Sequence, residues 1–502
     1  MPPTTERTDV TDTALFTDEG LLGPVPAALV AGVREDDPSH GTLPVVNPAT
    51  GAHVADVPLA PAETVDRAVR AAAQAQKAWG ARTPLERAAV LEEISRLFAV
   101  HAEELARIVT TEQGKPYDNA VGEAHGARTF FDFAISQKYR PVGEKLVSDP
   151  GRSLETVEVP IGVVAAVLPW NFPVAIFARK VAPALMAGNA VVVKPSEFTP
   201  LSALALARLC QLAGLPDGVL SVVCGDGRVT GAALVSHPAV GMVTMTGSTR
   251  GGREILASTA QSIIPVSLEL GGKAPFIIFE DADIDRAIED AADARLWNSG
   301  QVCTCNEVTY VHASIHDEFV RRVSERYAAI TPSAPDAPGS TFGPLVAERE
   351  RARVQAMVDA AVEAGATVEV GGGRPAGDEF AEGAWFAPTL LSGVTSDMAI
   401  ARTEVFGPVL PVIPFETEAE VVAAANSTAF GLSAYVYTRD LSRSMRMIAD
   451  LEFGEVYVNQ AGPESVRGYH SGWKDSGLGG DDGAHGYEKY LRRKTAYVTY
   501  ER

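Results

Sequence analysis

Cysteine is scarce in this chain of 502 residues: the four present, at positions 210, 224, 303 and 305, are too few and too unevenly spaced for a disulfide framework. A reducing compartment, the cytoplasm, is therefore the expected setting. Basic residues are outnumbered, 43 Lys and Arg against 64 Asp and Glu, and the charge of −21 sets net repulsion against a phosphate backbone. Nucleic acid is not an expected partner. No apolar run approaches the roughly 18 residues of a membrane span, and residues 161–168 read instead as a buried strand. Residues 1–20 lack a basic-then-apolar signal pattern and read as a disordered or loosely docked tail. There is no internal repeat and no long low-complexity tract, and no metal site is expected.

What is present is an α/β pattern. Between residues 161 and 270, short β-branched runs alternate with longer Ala/Leu-rich segments, as parallel strands joined by helical crossovers do. Strands are expected at 162–168, 190–194, 220–223, 241–245 and 266–270, with helices at 175–187, 201–213, 228–236 and 252–261. A second α/β pattern follows, with strands at 307–311, 409–415, 433–437 and 455–459 and helices at 283–296, 315–329, 347–364, 418–426 and 441–451. Residues 331–341, rich in Pro, Ser, Ala and Gly, read as a surface connection. A boundary near Gly271-Gly272 sets Glu269 and Cys303 on opposite sides of an interdomain cleft, where ligand pockets form.

Those two residues carry the chemistry. Cys303 lies in Asn298-Ser299-Gly300-Gln301-Val302-Cys303-Thr304-Cys305, about thirty residues after Leu268-Glu269-Leu270-Gly271-Gly272-Lys273. A thiolate can add to an electrophilic carbonyl, and a nearby carboxylate can take a proton from the thiol or from water. The two runs together resemble the NAD(P)-dependent aldehyde dehydrogenase superfamily, and the resemblance covers nearly the whole chain from Asn47-Pro48-Ala49-Thr50-Gly51 onward. It implies that Cys303 forms a thiohemiacetal, that hydride leaves to NAD to give a thioester, and that Glu269 activates the water that hydrolyses it. Asn171, in Pro169-Trp170-Asn171-Phe172-Pro173, would supply the oxyanion-hole amide together with the Cys303 N–H. Lys180 matches a lysine that assists proton movement, and an ordinary structural part is equally open to it.

The resemblance extends to the cofactor. Thr246-Gly247-Ser248-Thr249 sits at a strand-to-helix turn, where free N–H groups suit a pyrophosphate, with Ser248 on phosphate and Gly247 permitting close approach. Lys194-Pro195-Ser196-Glu197 resembles the ribose motif, and a carboxylate at Glu197 would repel a 2′-phosphate, favouring NAD over NADP. Gly225 is expected beside the adenine, Trp170 along the cofactor, and Glu404 and Phe406 on the nicotinamide ribose.

The implied fold is a Rossmann-like cofactor domain (1–140 and 160–270), a second α/β catalytic domain (271–470) and a small β oligomerisation arm (141–159 and 486–502) that would make a homodimer or homotetramer. Gly468-Tyr469-His470-Ser471-Gly472-Trp473 and the Gly-Gln-Val-Cys-x-Cys run look most like the bacterial lactaldehyde/glycolaldehyde dehydrogenase branch. His470 is expected to face the aldehyde, with Val302 beside it, pointing to a short 2-hydroxyaldehyde. Arg140, in the region that lines the substrate mouth of relatives, raises the alternative of an anionic aldehyde such as sulfolactaldehyde or succinate semialdehyde, unless it is a solvated helix-end charge. Val308 and Gly480-Asp481 depart from residues common in the family, which weakens the transfer of substrate. A CoA-acylating enzyme or an inactive binding protein would each be expected to lack part of the Cys303, Glu269 and Asn171 set. The adjacent Cys305 is placed to resolve an oxidised Cys303 of lowered pKa.

Overall fold

The computed structural model describes residues 15–17, 20–23 and 27–501. Most of the tail expected at 1–20 lies outside the described residues, but Leu15 within it is buried in the same core as Leu21 and Leu22.

Two sheets, each a stack of parallel strands, form the frame. In the first, Leu220–Val222, Ala190–Lys194, Val163–Val167, Met242–Thr246 and Val266–Glu269 run parallel in that spatial order. Antiparallel edges are added by Ala28–Val30 with Val33–Glu35 on one side and by Gly477–Leu478 on the other. The inner strands are Val/Ala runs buried on both faces, as expected of a sheet covered by helices on both sides. Chain order moves outward from Val163–Val167 and then reverses to Met242–Thr246, so the switch point of this Rossmann-like sheet lies between those two strands. The expected helix at 228–236 is a wide π turn, Gly227–Gly231, running into Ala232–Val235.

Pro84–Val100, Ala102–Gln113 and Tyr117–Ser136 share one core with Pro173–Met186 and Pro200–Leu212, while Ala62–Ala81 packs Val65, Ala68, Val69 and Ala72 in a second core with the sheet and, of its buried residues, sends only Trp79 into the first. Trp79 pins that helix, its indole N–H donating to the Leu185 carbonyl at 3.0 Å. Pro84–Val100 is started by a capping box in which Thr83 and Glu86 satisfy each other's backbone N–H.

The second sheet runs Thr367–Val370, Thr389–Ser392, Val409–Phe415, Asn306–His312, Ala274–Ile278, Ser433–Tyr437, Glu455–Val458, parallel except at the first pair. Its strand Ala274–Ile278 directly follows Gly271-Gly272-Lys273, so the chain crosses from one sheet to the other within five residues of Glu269. After Val458 the chain returns: Gly477 and Leu478 pair with Glu269 and Leu268, and Tyr487 and Tyr490 enter the first core. The last strand of the second sheet ends at Val458, and beyond it Trp473–Lys474 pairs with Phe430–Gly431. Leu491–Thr499, Arg152–Pro160 and Gly143–Asp149 form a separate three-stranded antiparallel arm. Among the described residues no helix is long and apolar enough to cross a membrane.

Candidate active site

A cleft of 1460 Å³ opens between the two sheets. Its floor consists of the segments leaving the carboxyl ends of the first sheet's strands: Val167 to Phe172, Lys194 to Phe198, Met245 to Ser248, and Leu270 with Gly271. Opposite them stand Val302 to Cys305, Glu404 and Phe406.

The loop before Cys303 is held in an uncommon backbone. Asn298, Ser299 and Gly300 all have left-handed φ, at 48°, 55° and 75°. Two successive non-glycine residues in that region cost energy that surrounding bonds must offset. The Asn298 amide donates to the Asn171 carbonyl at 3.0 Å and accepts from Gln113 at 3.2 Å. Gln301 donates to the Asn298 carbonyl at 3.0 Å and accepts from the Val346 N–H at 2.8 Å. Gly300 is required for a different reason, since a Cβ there would sit 2.2 Å from the Gly407 carbonyl oxygen. The loop therefore rests on the Glu404–Pro408 segment.

Asn171 closes the ring, its Nδ2 donating to the Gln301 carbonyl at 3.0 Å. Its own carbonyl also accepts from Lys115 at 2.9 Å, and Lys115 is paired with the buried Glu123, which takes the Val174 N–H at 2.9 Å. Sequence reasoning passed over Asn298, Gln301, Lys115 and Glu123 as functional residues. The first two lie inside the Cys303 run, which was the available signal.

The Cys303 thiol is raised above its ordinary pKa, first by burial and then by Glu464, with Arg179 opposing. The lowered pKa expected beside a positively charged nicotinamide is not a property of the chain's own groups, in which burial and the surrounding carboxylates outweigh Arg179. Cys305 is buried, its sulfur 3.2 Å from the Arg295 guanidinium, and burial still pushes its thiol up to about 12.

Glu269 ends its strand buried, with neither carboxylate oxygen hydrogen-bonded. Burial raises its pKa to about 8, the His470 charge opposes that, and its own charge is felt at Cys303. Gly272 lets this strand end approach the nucleophile, since a Cβ there would lie 2.6 Å from the Cys303 carbonyl oxygen. An unsolvated carboxylate with free lone pairs, buried beside the Leu270–Gly271 edge of the cleft that holds the Cys303 thiol and the Asn171 amide, can serve as a base toward a water or thiol proton.

At the other end of the cleft, Ser248 caps the helix Thr249–Thr259 by accepting the Gly251 N–H at 3.1 Å. Glu197 accepts the Gly227 N–H at 3.1 Å and lies 3.9 Å from Lys194, while Ser196 sits beside them on the cleft wall. Glu404 accepts the Gly272 N–H at 2.7 Å, and burial raises it to about 7. The Phe406 and Trp170 rings meet edge to face at 5.3 Å. The Thr246 hydroxyl, on the cleft wall at the switch point, is buried without a partner. An orphaned donor, a helix N-terminus and a carboxylate flanking strand ends suit a dinucleotide.

Five expected site residues are not on the cleft lining, Glu269 among them: it is buried, and its neighbours Leu270 and Gly271 form the lining there. Arg140 is bound to Glu158 and, at 2.8 Å, to Glu488, because it caps the turn leading into the arm and meets the returning C-terminal helix there. Gly225 is kept small by Thr230, whose Oγ1 would be 1.9 Å from a Cβ, and Gly227 lines the cleft in its place. Lys180 is fully buried with its ammonium 2.6 Å from Asp481, and burial lowers it to about 8. His470 is 2% exposed and stands behind Glu269, with Nε2 3.6 Å from Oε2, because its backbone is bridged to Asp481 on the segment that pairs with the Glu269 strand. The wall that His470 and Arg140 were expected to form is made by Phe130, Arg179, Tyr457 and Glu464 beside Val302. Arg179 is paired with Glu464 at 2.6 Å and Asp482 at 3.0 Å. Among the described residues no cluster of His, Cys, Asp and Glu could hold a metal ion.

The chain is similar to known proteins over nearly its whole length. The profile of the aldehyde dehydrogenase family matches residues 35–496. A 3,6-anhydro-α-L-galactose dehydrogenase of Streptomyces coelicolor is 73% identical over 486 residues, 97% of this chain and 99% of that protein. The lactaldehyde dehydrogenase of Escherichia coli is 41% identical over 458 residues, 91% and 95% of the two chains. A solved structure of 3,6-anhydro-L-galactose dehydrogenase in complex with NAP superposes with a TM-score of 0.92 at 42% identity, covering 94% of this chain and 99% of that one.

Proposed function

The chain belongs to the aldehyde dehydrogenase family and is an oxidoreductase acting on aldehydes; from that premise we propose that its substrate is the open form of a 3,6-anhydro sugar, 3,6-anhydro-L-galactose, oxidised to the acid. This replaces the lactaldehyde or glycolaldehyde expected from His470. The anhydrogalactose enzyme is by far the more similar of the two relatives, and His470 is not on the cleft wall. What carries over is the 2-hydroxyaldehyde unit, since the 3,6-bridge leaves C1 and the C2 hydroxyl outside the five-membered ring. The supporting observation is the substrate end of the cleft: the Phe130 and Tyr457 rings flank the buried Arg179–Glu464 pair, a set that stacks on a sugar ring and exchanges hydrogen bonds with its hydroxyls. An anionic aldehyde is less well served, because Arg179 is already neutralised by two carboxylates and Arg140 lies in the arm.

The cofactor, NAD or NADP, supplies the hydride acceptor. Around it, Cys303 adds to C1, the Asn171 amide and the Cys303 N–H hold the developing oxyanion, and Glu269 takes the proton of the hydrolytic water. Glu197 at the ribose end supports NAD as the preferred form, although the anhydrogalactose dehydrogenase of known structure carries NAP. The arm, with unpaired outer strand edges and Leu146, Tyr497 and Val498 exposed, supports a homo-oligomer. The deciding experiment is NADH formation with 3,6-anhydro-L-galactose, lactaldehyde, glycolaldehyde and succinate semialdehyde. A kcat/KM for lactaldehyde or the semialdehyde equal to or above that for the anhydro sugar would overturn the assignment.

A further inference from the structure

Glu269 has a supply of charge behind it that the reaction as described does not use. Its carboxylate is buried, makes no hydrogen bond and lies near the negative Asp481. Two lysines are close, but Lys180 and Lys489 are both committed to Asp481, one at each oxygen. The cation left to Glu269 is His470, whose Nε2 is 3.6 Å from Oε2.

His470 in turn is held between two sheets. Its backbone N–H donates to the Asp481 carbonyl at 3.0 Å and its carbonyl accepts from the Asp481 N–H at 2.7 Å. Nδ1 lies 3.2 Å from Glu455 Oε2, on the first residue of the second sheet's strand Glu455–Val458. The same Glu455 oxygen accepts from the Tyr457 hydroxyl at 3.1 Å, and Tyr457 lines the substrate end of the cleft. A line of contacts thus runs from the substrate wall through Glu455 and His470 to Glu269.

We propose that Glu455 and His470 are a positioning pair for the general base: Glu455 keeps the imidazole protonated, and the imidazolium makes Glu269 easier to ionise and aims it in a pocket that favours the neutral acid. The inference rests on the reading of Glu269 as the base. Burial and Arg179 oppose charge on His470, while Glu455 and Glu269 favour it, and the balance leaves it at about 9. The charged groups facing the pair are Glu269 and Glu455 from the strands, Arg179 from the helix Pro173–Met186, and Glu464 and Asp482 from the C-terminal segment, with Asp481 and its two lysines beside Glu269. Without Glu455, burial and Arg179 discharge the ring; without the ring charge, Glu269 titrates higher. An opposite charge at this range moves a carboxyl by about 1–3 pH units.

The test is the kcat–pH profile of Glu455→Gln, His470→Asn and the double variant, at saturating aldehyde and cofactor, beside Glu269→Gln. The acid limb should move up by about 1–3 pH units in both single variants with little change in KM, and the double variant should move no further than His470→Asn alone, because Glu455 acts through the ring. A limb that keeps its position while only its height falls would mean that the pair merely supports the fold, and would overturn the proposal. If the limb survives in Glu269→Gln, the base assignment itself fails; if it vanishes there but stays put in the other variants, only the positioning pair fails. An independent readout needs no turnover. In cofactor-free protein labelled with ¹⁵N-histidine, the His470 signal, picked out among nine histidines by its loss in His470→Asn, should remain imidazolium at pH 8 in the native chain and be neutral there in Glu455→Gln. A ring neutral at pH 8 in the native chain would overturn the proposal as well.

Discussion

The Asn298 carboxamide donates to the main-chain carbonyl of Asn171 across 3.0 Å, from a backbone at φ 48°, ψ 36°. The bond ties the loop carrying Cys303 to the segment carrying Asn171, one from each side of the cleft. Asn298→Ala removes it and leaves an alanine in a left-handed conformation that costs about 1–2 kcal/mol. The expected result is a fall in kcat of about tenfold or more with cofactor KM little changed, read by steady-state kinetics; an unaltered kcat would show that the loop is held by its other bonds.

Cys303→Ala should abolish NADH formation with every aldehyde, since no other thiol on the cleft is placed to add to the carbonyl. Glu269→Gln should block hydrolysis selectively, and the thioester should be seen by mass spectrometry after acid quench. Steady-state turnover at the native rate in either variant contradicts the assigned roles.

Removing one oxyanion donor commonly costs about 10²–10³ in kcat. Asn171→Ala should show a loss of that order together with added mobility of the loop, because its Nδ2 also holds the Gln301 carbonyl. Crystallography of the variant separates the two effects: an undisturbed loop with the full kinetic loss isolates the oxyanion term.

NAD should be preferred to NADP, and Glu197→Ser should narrow the ratio of kcat/KM by removing repulsion of a 2′-phosphate. An NADP preference in the native chain would mean that the bond from Gly227 N–H to Glu197 turns the carboxylate away from the ribose.

Glu307 carries a stability prediction. Burial raises its carboxyl, but Arg295, Lys273 and the Val405 N–H outweigh burial and leave it at about 2, against an ordinary 4.5. A depressed folded pKa stabilises fully above 4.5, and that stabilisation is lost as pH falls from 4.5 through about 2. Glu307→Ala strands two buried cations and should cost about 3–5 kcal/mol, measured as a lower denaturation midpoint at neutral pH. A midpoint within 0.5 kcal/mol of native would remove Glu307 from the framework.

Much of the cofactor half was legible because its signals are local. Val163–Val167, Ala190–Lys194 and Met242–Thr246 are short runs rich in β-branched residues, and the residues at or just after their ends, Trp170, Lys194, Ser196, Glu197, Gly247 and Ser248, fall on the cleft because parallel strands all end at one edge of the sheet. The substrate end was poorly legible. Arg179 and Glu464 meet across 285 positions in the chain, and no periodicity encodes that pairing. Arg140 and Lys180 look alike in sequence as cations near helices, yet one ends in the arm and the other under Asp481.

The sequence by itself determined the reaction class and the cofactor fold, because Cys303, Glu269 and Asn171 each sit in a short run that resembles the family's motifs, and because strand and helix periods are local properties. Only the tertiary structure decided what stands next to what. After Val458 the chain returns to pair Gly477 with Glu269, and that one antiparallel contact carries His470 behind the base and leaves the substrate wall to Phe130, Arg179, Tyr457 and Glu464. The physical reason is that edge pairing and buried charge neutralisation are satisfied by whichever distant segment the whole fold brings to hand.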